Sequence, residues 1–148
     1  MHALIFIGLQ ASGKSSYYKE TFFSSHIRIN LDMLRTRERE RILFEACINA
    51  RQPLVIDNTN PTRADRQRYI PQLQAAGFEV SAYYFRSHFA SCLKRNNLRQ
   101  GRAKIPEKGL QITLNKLQRP DFDEGFEKIY YVNLTPQGYQ VRPWKKIP

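Results

Sequence analysis

The most constraining feature is an apolar run that passes directly into a glycine-rich turn. "ALIFI" (3–7) has the composition of a strand covered on both faces. "GLQASGKS" (Gly8 to Ser15) follows at once and fits G-x-x-x-x-G-K-[ST] at every fixed position. A helix is expected from Lys14 to about Thr21. Strand, loop and helix in that order form a phosphate cradle. Gly8 and Gly13 let the backbone curl so that N–H groups face an anion, and the helix start adds partial positive charge. Ala11, Ser12, Gly13 and Ser16 belong to the expected donor-binding set. Lys14 suits the β- and γ-phosphates as a point charge, and the Ser15 hydroxyl suits Mg²⁺. A nucleoside triphosphate and Mg²⁺ are therefore the expected ligands. The pattern reads phosphates and leaves the base open.

The rest of the chain alternates in the same way. Strands are expected at 27–30, 53–58, 78–85 and 128–134. Between them the reading places a long helix from about Asp32 to Asn49 and a helix capped by Asn60 with Pro61 in its first turn. Pro71 should bend that second helix and Gly77 should end it in a left-handed position. Further helices are expected from about Phe89 to Arg99 and at 107–118. "PQGYQV" has the turn chemistry of a small terminal hairpin. The whole reads as one α/β domain over 1–148, a three-layer sandwich around a mostly parallel five-stranded sheet. Residues 100–106 form a basic lid loop, and 135–148 a hairpin or tail. Ligands in such sheets sit at the carboxyl ends of the strands, where Gly8, Asn30 and Asp57 all fall.

Charge points to the partner. The chain carries 24 Lys and Arg against 13 Asp and Glu, a net charge of +11. From Arg86 to Arg119 there are nine basic residues and one acid, Glu107. A concentrated positive field implies a polyanion, nucleic acid above all. No stretch approaches the roughly 18 apolar residues of a membrane span, and the N-terminus lacks the basic region of a signal peptide. Cys47 and Cys92 stand alone, without metal or redox spacing, and read as buried thiols of a reducing compartment. A cytoplasmic protein is expected.

Four short stretches carry chemistry. In "INLDMLR", Asp32 can accept a proton from an acceptor hydroxyl or cap a helix. Arg35, one turn on, can grip an acceptor phosphate or face solvent. In "VIDNTN", Asp57 ends a strand where a carboxylate can hold Mg²⁺. Asn58, Thr59 and Asn60 can hydrogen-bond the acceptor or metal waters, and Asn60 can also cap the next helix. In "RNNLRQGRAKIP", Arg95 and Arg99 are four apart and point into a glycine-containing basic loop. Arginines on a mobile lid can neutralise the charge of phosphoryl transfer and exclude water.

Together "GLQASGKSS", "INLDMLR", "VIDNTNPTRADRQRYI…AAGF" and "RNNLRQGRAKIP…RPDFDEGF" resemble the kinase domain of the 5′-hydroxyl polynucleotide kinases, from Met1 to about Leu134. "VIDNTNP" and its following helix are the most specific part. The resemblance implies transfer of the ATP γ-phosphate to the 5′-OH end of DNA or RNA. By motif position, Asp32 is similar to the family's general base and Arg35 to its acceptor-side arginine. Arg99 is similar to its lid arginine, with Arg95 in support, while Lys14 and Ser15 serve the donor phosphates and Mg²⁺. In the phage branch the acid after the third strand comes one position later, where this chain has Asn58; Asp57 matches the animal branch. The other readings are a small-molecule kinase acting on a sugar, antibiotic or nucleotide, and a nucleotide-dependent module without transfer.

Overall fold

The computed structural model describes residues 1–145. The proposed tail of 135–148 therefore lies partly outside the described residues, at 146–148. The strands are β1 (His2–Ile7), β2 (Ile27–Ile29), β3 (Leu54–Asp57), β4 (Glu79–Phe85), β5 (Lys128–Thr135) and β6 (Gly138–Pro143). They form one sheet in the order β2-β3-β1-β4-β5-β6. All neighbours are parallel except β5 and β6. The sheet has six strands where five were expected. The terminal hairpin does form, but its second strand pairs with β5 from Tyr130↔Pro143 to Thr135↔Gly138 and so extends the sheet.

Alternation along β1 builds the layers. Ala3, Ile5 and Ile7 pack in one cluster with Phe44 and Cys47 of α3 (Arg37–Ala50) and with Ile70 and Leu73 of α5 (Ile70–Ala75). Leu4 and Phe6 face the other way, against Tyr17 and Tyr18 of α1 (Lys14–Thr21). A strand sends successive side chains to opposite faces, so an uninterrupted apolar run is what a two-sided core requires. The three-layer expectation holds.

Two expected helices are each divided. The long one splits into α2 (Leu31–Leu34) and α3, because Arg35 takes φ 77° and Thr36 caps a new start by accepting from the Arg39 N–H at 3.1 Å. The helix after β3 splits into α4 (Arg63–Gln67) and α5, with Pro71 in the first turn of α5, where its missing N–H costs nothing. Asn60 does not cap α4. Thr62 does, in a capping box with Asp65. Gly77 follows α5 at φ 84°, as read.

The basic segment forms α6 (Phe89–Asn97), a 3₁₀ turn at Gly101–Ala103 and α7 (Glu107–Lys116). Leu9 of the phosphate loop is fully buried against Cys92 of α6 and Leu110 of α7. The lid elements thus pack on the phosphate loop itself. Both cysteines are buried, and burial pushes both thiols up, away from reactivity. No helix of the described residues is long and apolar enough to cross a membrane.

Candidate active site

The site lies at the carboxyl ends of β1, β2 and β3. The phosphate loop is held from every side. The Gly8 N–H donates to the Thr59 carbonyl at 3.0 Å and the Leu9 N–H to Ser87 Oγ at 3.0 Å. Arg95 Nε donates to the Ala11 carbonyl at 2.7 Å, and the Tyr139 hydroxyl to the Gly13 carbonyl at 2.7 Å. At Gly13, φ is 102° and a Cβ would meet Tyr139 Oη at 3.0 Å, so a side chain is excluded twice over. At Gly8 a Cβ would press on Phe85 Cβ at 3.0 Å. Ala11 holds φ 61° without being glycine. A fixed loop needs no reorganisation when an anion arrives.

Lys14 curls over this loop. Its Nζ donates to the Gly8 and Leu9 carbonyls at 2.9 and 2.8 Å and lies 3.4 Å from Ser12 Oγ. Burial lowers its pKa from 10.5 to about 8, with the Asp57 carboxylate pulling the other way. Ser15 Oγ donates to Asp57 Oδ2 at 3.0 Å. A hydroxyl and a carboxylate beside a phosphate loop suit Mg²⁺, which keeps waters and takes phosphate oxygens. Among the described residues there is no cluster of three or more His, Cys, Asp or Glu that could hold a metal unaided. Ser16, one residue on, is exposed beside Tyr139 and outside both cavities described below.

Asp32 is the second residue of α2 and is exposed. It does not cap the helix. Asn30 does, its Oδ1 accepting from the Met33 N–H at 2.9 Å while its Nδ2 donates to the Asp57 carbonyl at 2.6 Å. Asn58 binds the same helix from the other side. Its Oδ1 accepts from the Leu31 N–H at 2.8 Å and its Nδ2 donates to Glu40 at 3.0 Å. Glu40 is buried and also takes Arg37 and the Tyr69 hydroxyl. Desolvation pushes that phenol up to about 12, so it stays a donor. Asn30 and Asn58 therefore lock the turn that presents Asp32. Asn60 is likewise structural: buried at φ 45°, its Nδ2 donates to the Phe6 carbonyl at 2.8 Å.

Two cavities meet here. The first, about 500 Å³, is lined by Lys14, Ser15, Asp57, Arg28, Arg99 and Arg102 among others. The second, about 330 Å³, is lined by Arg37, Arg68, Tyr69, Asn60, Asp65 and Lys116 among others. Gln10, Asp32, Asn58, Thr59 and Ile105 line both. Of the expected arginines, Arg99 reaches the first cavity, and Arg95 supports the loop from behind. Arg35 reaches neither cavity: the left-handed turn that ends α2 carries it off the Asp32 face. The basic residues on the second cavity come instead from α3, the end of α4 and α7.

Residues 4–120 match the model of the AAA domain family. The chain belongs to that family. This AAA domain is also 27% identical over 135 residues to the bifunctional polynucleotide phosphatase/kinase of Schizosaccharomyces pombe. The match takes in 85% of this chain and 32% of the relative's length. That similarity agrees with the resemblance carried by the motifs. Among solved structures, a gluconokinase from Sinorhizobium meliloti 1021 superposes with a TM-score of 0.63 at 19% identity, over 89% of this chain and 82% of that one. Chaetomium thermophilum Kti12 in complex with ADP-AlF3 gives 0.66 at 12% identity, over 88% of each. At such identities the shared property is the fold, an α/β P-loop kinase fold.

Proposed function

We propose that this AAA domain is an ATP-dependent polynucleotide 5′-hydroxyl kinase, moving the γ-phosphate of ATP to the 5′-OH end of DNA or RNA. The observation that carries the proposal is the place of Asp32. It stands where a cavity lined by the phosphate loop opens into one edged by Arg37, Arg68 and Lys116. Arg37 is paired with Glu40, but neither Arg68 nor Lys116 forms a salt bridge among the described residues. Unpaired cations beside an acceptor site suit the phosphates that follow a 5′-terminal nucleoside.

In this reading the donor phosphates lie along the loop, with Lys14 toward the β- and γ-phosphates. Ser15 and Asp57 would hold Mg²⁺, which would supply positive charge to offset that of the donor phosphates. The 5′-OH enters from the second cavity. Asp32 accepts its proton as the oxygen bonds to the γ-phosphorus and the bond to the β–γ bridging oxygen breaks, leaving ADP. Arg99 and Arg102 stabilise the charge spread over the transferring group.

The test is transfer of γ-labelled phosphate to 5′-OH DNA, 5′-OH RNA and a panel of sugars, nucleotides and antibiotics. It should be run at low salt because phosphate contacts weaken steeply with salt. Label on the oligonucleotides is expected. Label on a small molecule alone would favour the second reading, a small-molecule kinase, which the fold shared with a gluconokinase supports. No label on any acceptor would leave a nucleotide-dependent binding module.

A further inference from the structure

Arg28 occupies a position that the phosphate-loop chemistry does not explain. It is the middle residue of β2. Ile29 points into the core shared with α3, so alternation turns Arg28 toward the α1 face. There its Nε donates to Asp57 Oδ2 at 2.7 Å and its Nη2 to Ser15 Oγ at 2.8 Å. With the 3.0 Å bond from Ser15 to Asp57, the three side chains close a triangle. The Asp57 side chain is 1% exposed and that of Arg28 25%, so the carboxylate is buried while the guanidinium lies at the cavity wall.

The guanidinium thus bridges the two oxygens that suit a divalent cation, and the two cations bid for the same ligands. Exchange releases Arg28 into a cavity already lined by Lys14, Arg99 and Arg102. A bare cation would add to that positive charge. A cation arriving with a nucleotide brings phosphates that satisfy both it and the displaced arginine.

We infer that Arg28 is an internal counter-cation that makes divalent-metal binding conditional on nucleotide. It keeps buried Asp57 paired until a metal–nucleotide complex takes its place. The inference rests on the reading that Ser15 and Asp57 serve Mg²⁺, and it goes beyond that reading by assigning Arg28 a positioning role that governs loading.

The experiment titrates the full chain with Mn²⁺ and counts free ion by electron paramagnetic resonance, with no acceptor present. Without nucleotide, Arg28→Met should bind Mn²⁺ at least about tenfold more tightly than the wild type, since a like charge at contact distance has been removed. With ADP present the difference should narrow. Equal affinities without nucleotide would overturn the inference. Removing Arg28 leaves a buried carboxylate unpaired, which destabilises the fold, so a second measurement uses the wild type. The Arg28 Nε–H resonance should be unmoved by Mg²⁺ alone and should shift, with faster exchange with water, on adding Mg²⁺ with ADP. A resonance unchanged at saturation with both would also overturn it. Neither measurement involves an oligonucleotide, so its outcome is separate from that of the transfer assay.

Discussion

Asp32 and Lys14 divide the proposed reaction between them, and substitution separates their shares. Asp32 touches no part of the phosphate loop in the hydrogen bonds that hold the site, and its helix is locked by Asn30 and Asn58 rather than by its own side chain. Asp32→Asn should therefore fold, bind ATP normally and lose about 10²–10⁴-fold in turnover, the range for a general base. Near-normal turnover would remove Asp32 from that role. Lys14→Ala should weaken both nucleotide binding and turnover. The lowered pKa of Lys14 also has a sign. Burial depresses it to about 8, whereas bound phosphates hold the ammonium charged. ATP affinity should be level between about pH 7 and 8, where the terminal phosphate is already ionised, and fall as pH rises through 8, with proton uptake on binding near that pH. Calorimetry in buffers of different ionisation enthalpy measures the uptake, and a pH-independent affinity from 7 to 9.5 would contradict it. Not every site residue acts by contact. Asn58, read from the sequence as able to bond the acceptor or metal waters, uses both ends of its amide on Leu31 and Glu40, and Asn60, read also as a helix cap, donates its Nδ2 to the Phe6 carbonyl.

The lid is an element whose geometry rests on a residue the motifs did not single out. Asn96 is buried, and its amide clamps Ile105 at both ends, accepting from the N–H at 2.9 Å and donating to the carbonyl at 2.6 Å. Gln10 of the phosphate loop also donates to Thr113 of α7 at 2.9 Å. The turn carrying Arg99 and Arg102 is thereby tied to the loop it would cover. Arg99→Ala should lower turnover by about 10²-fold or more while changing oligonucleotide affinity little, because its partner is the donor phosphate. Asn96→Ala should reproduce part of that loss with Arg99 still present. If Arg99→Ala instead weakened oligonucleotide binding and spared turnover, Arg99 would belong to the acceptor groove. The β5–β6 hairpin has a comparable place. Its turn was legible from "PQGYQV", but that Tyr139 meets Gly13 depends on β6 pairing with β5 at the edge of the sheet.

Across the whole molecule, the family-like stretches "RADRQRY" and "RPDFDEGF" meet as a structural joint. Arg66 and Glu124 are fully buried and doubly bonded, at 2.8 and 3.0 Å. Arg66 also donates to the carbonyls of Asn60, Pro61 and Gln118. One guanidinium thus joins the loop after β3, the end of α7 and the approach to β5. Glu124→Ala should cost about 3–5 kcal/mol by leaving that charge unpaired, measured by denaturant unfolding. A loss below about 1 kcal/mol would mean that water reaches the joint.

What the sequence determined by itself was everything encoded in neighbouring residues. The phosphate loop, the buried parallel strands, the strand-end position of Asp57 and the basic lid all follow from patterns a few residues long, where local sterics and periodicity suffice. Tertiary structure decided what depends on distant segments meeting. It brought Arg28 onto Ser15 and Asp57, gathered Arg37, Arg68 and Lys116 around one cavity, and turned Arg35 away through a single left-handed residue that helical spacing alone would have kept in line. A side chain's partner across 13 or 29 positions is set by how strands order in the sheet, and that order is written in no single stretch of the chain.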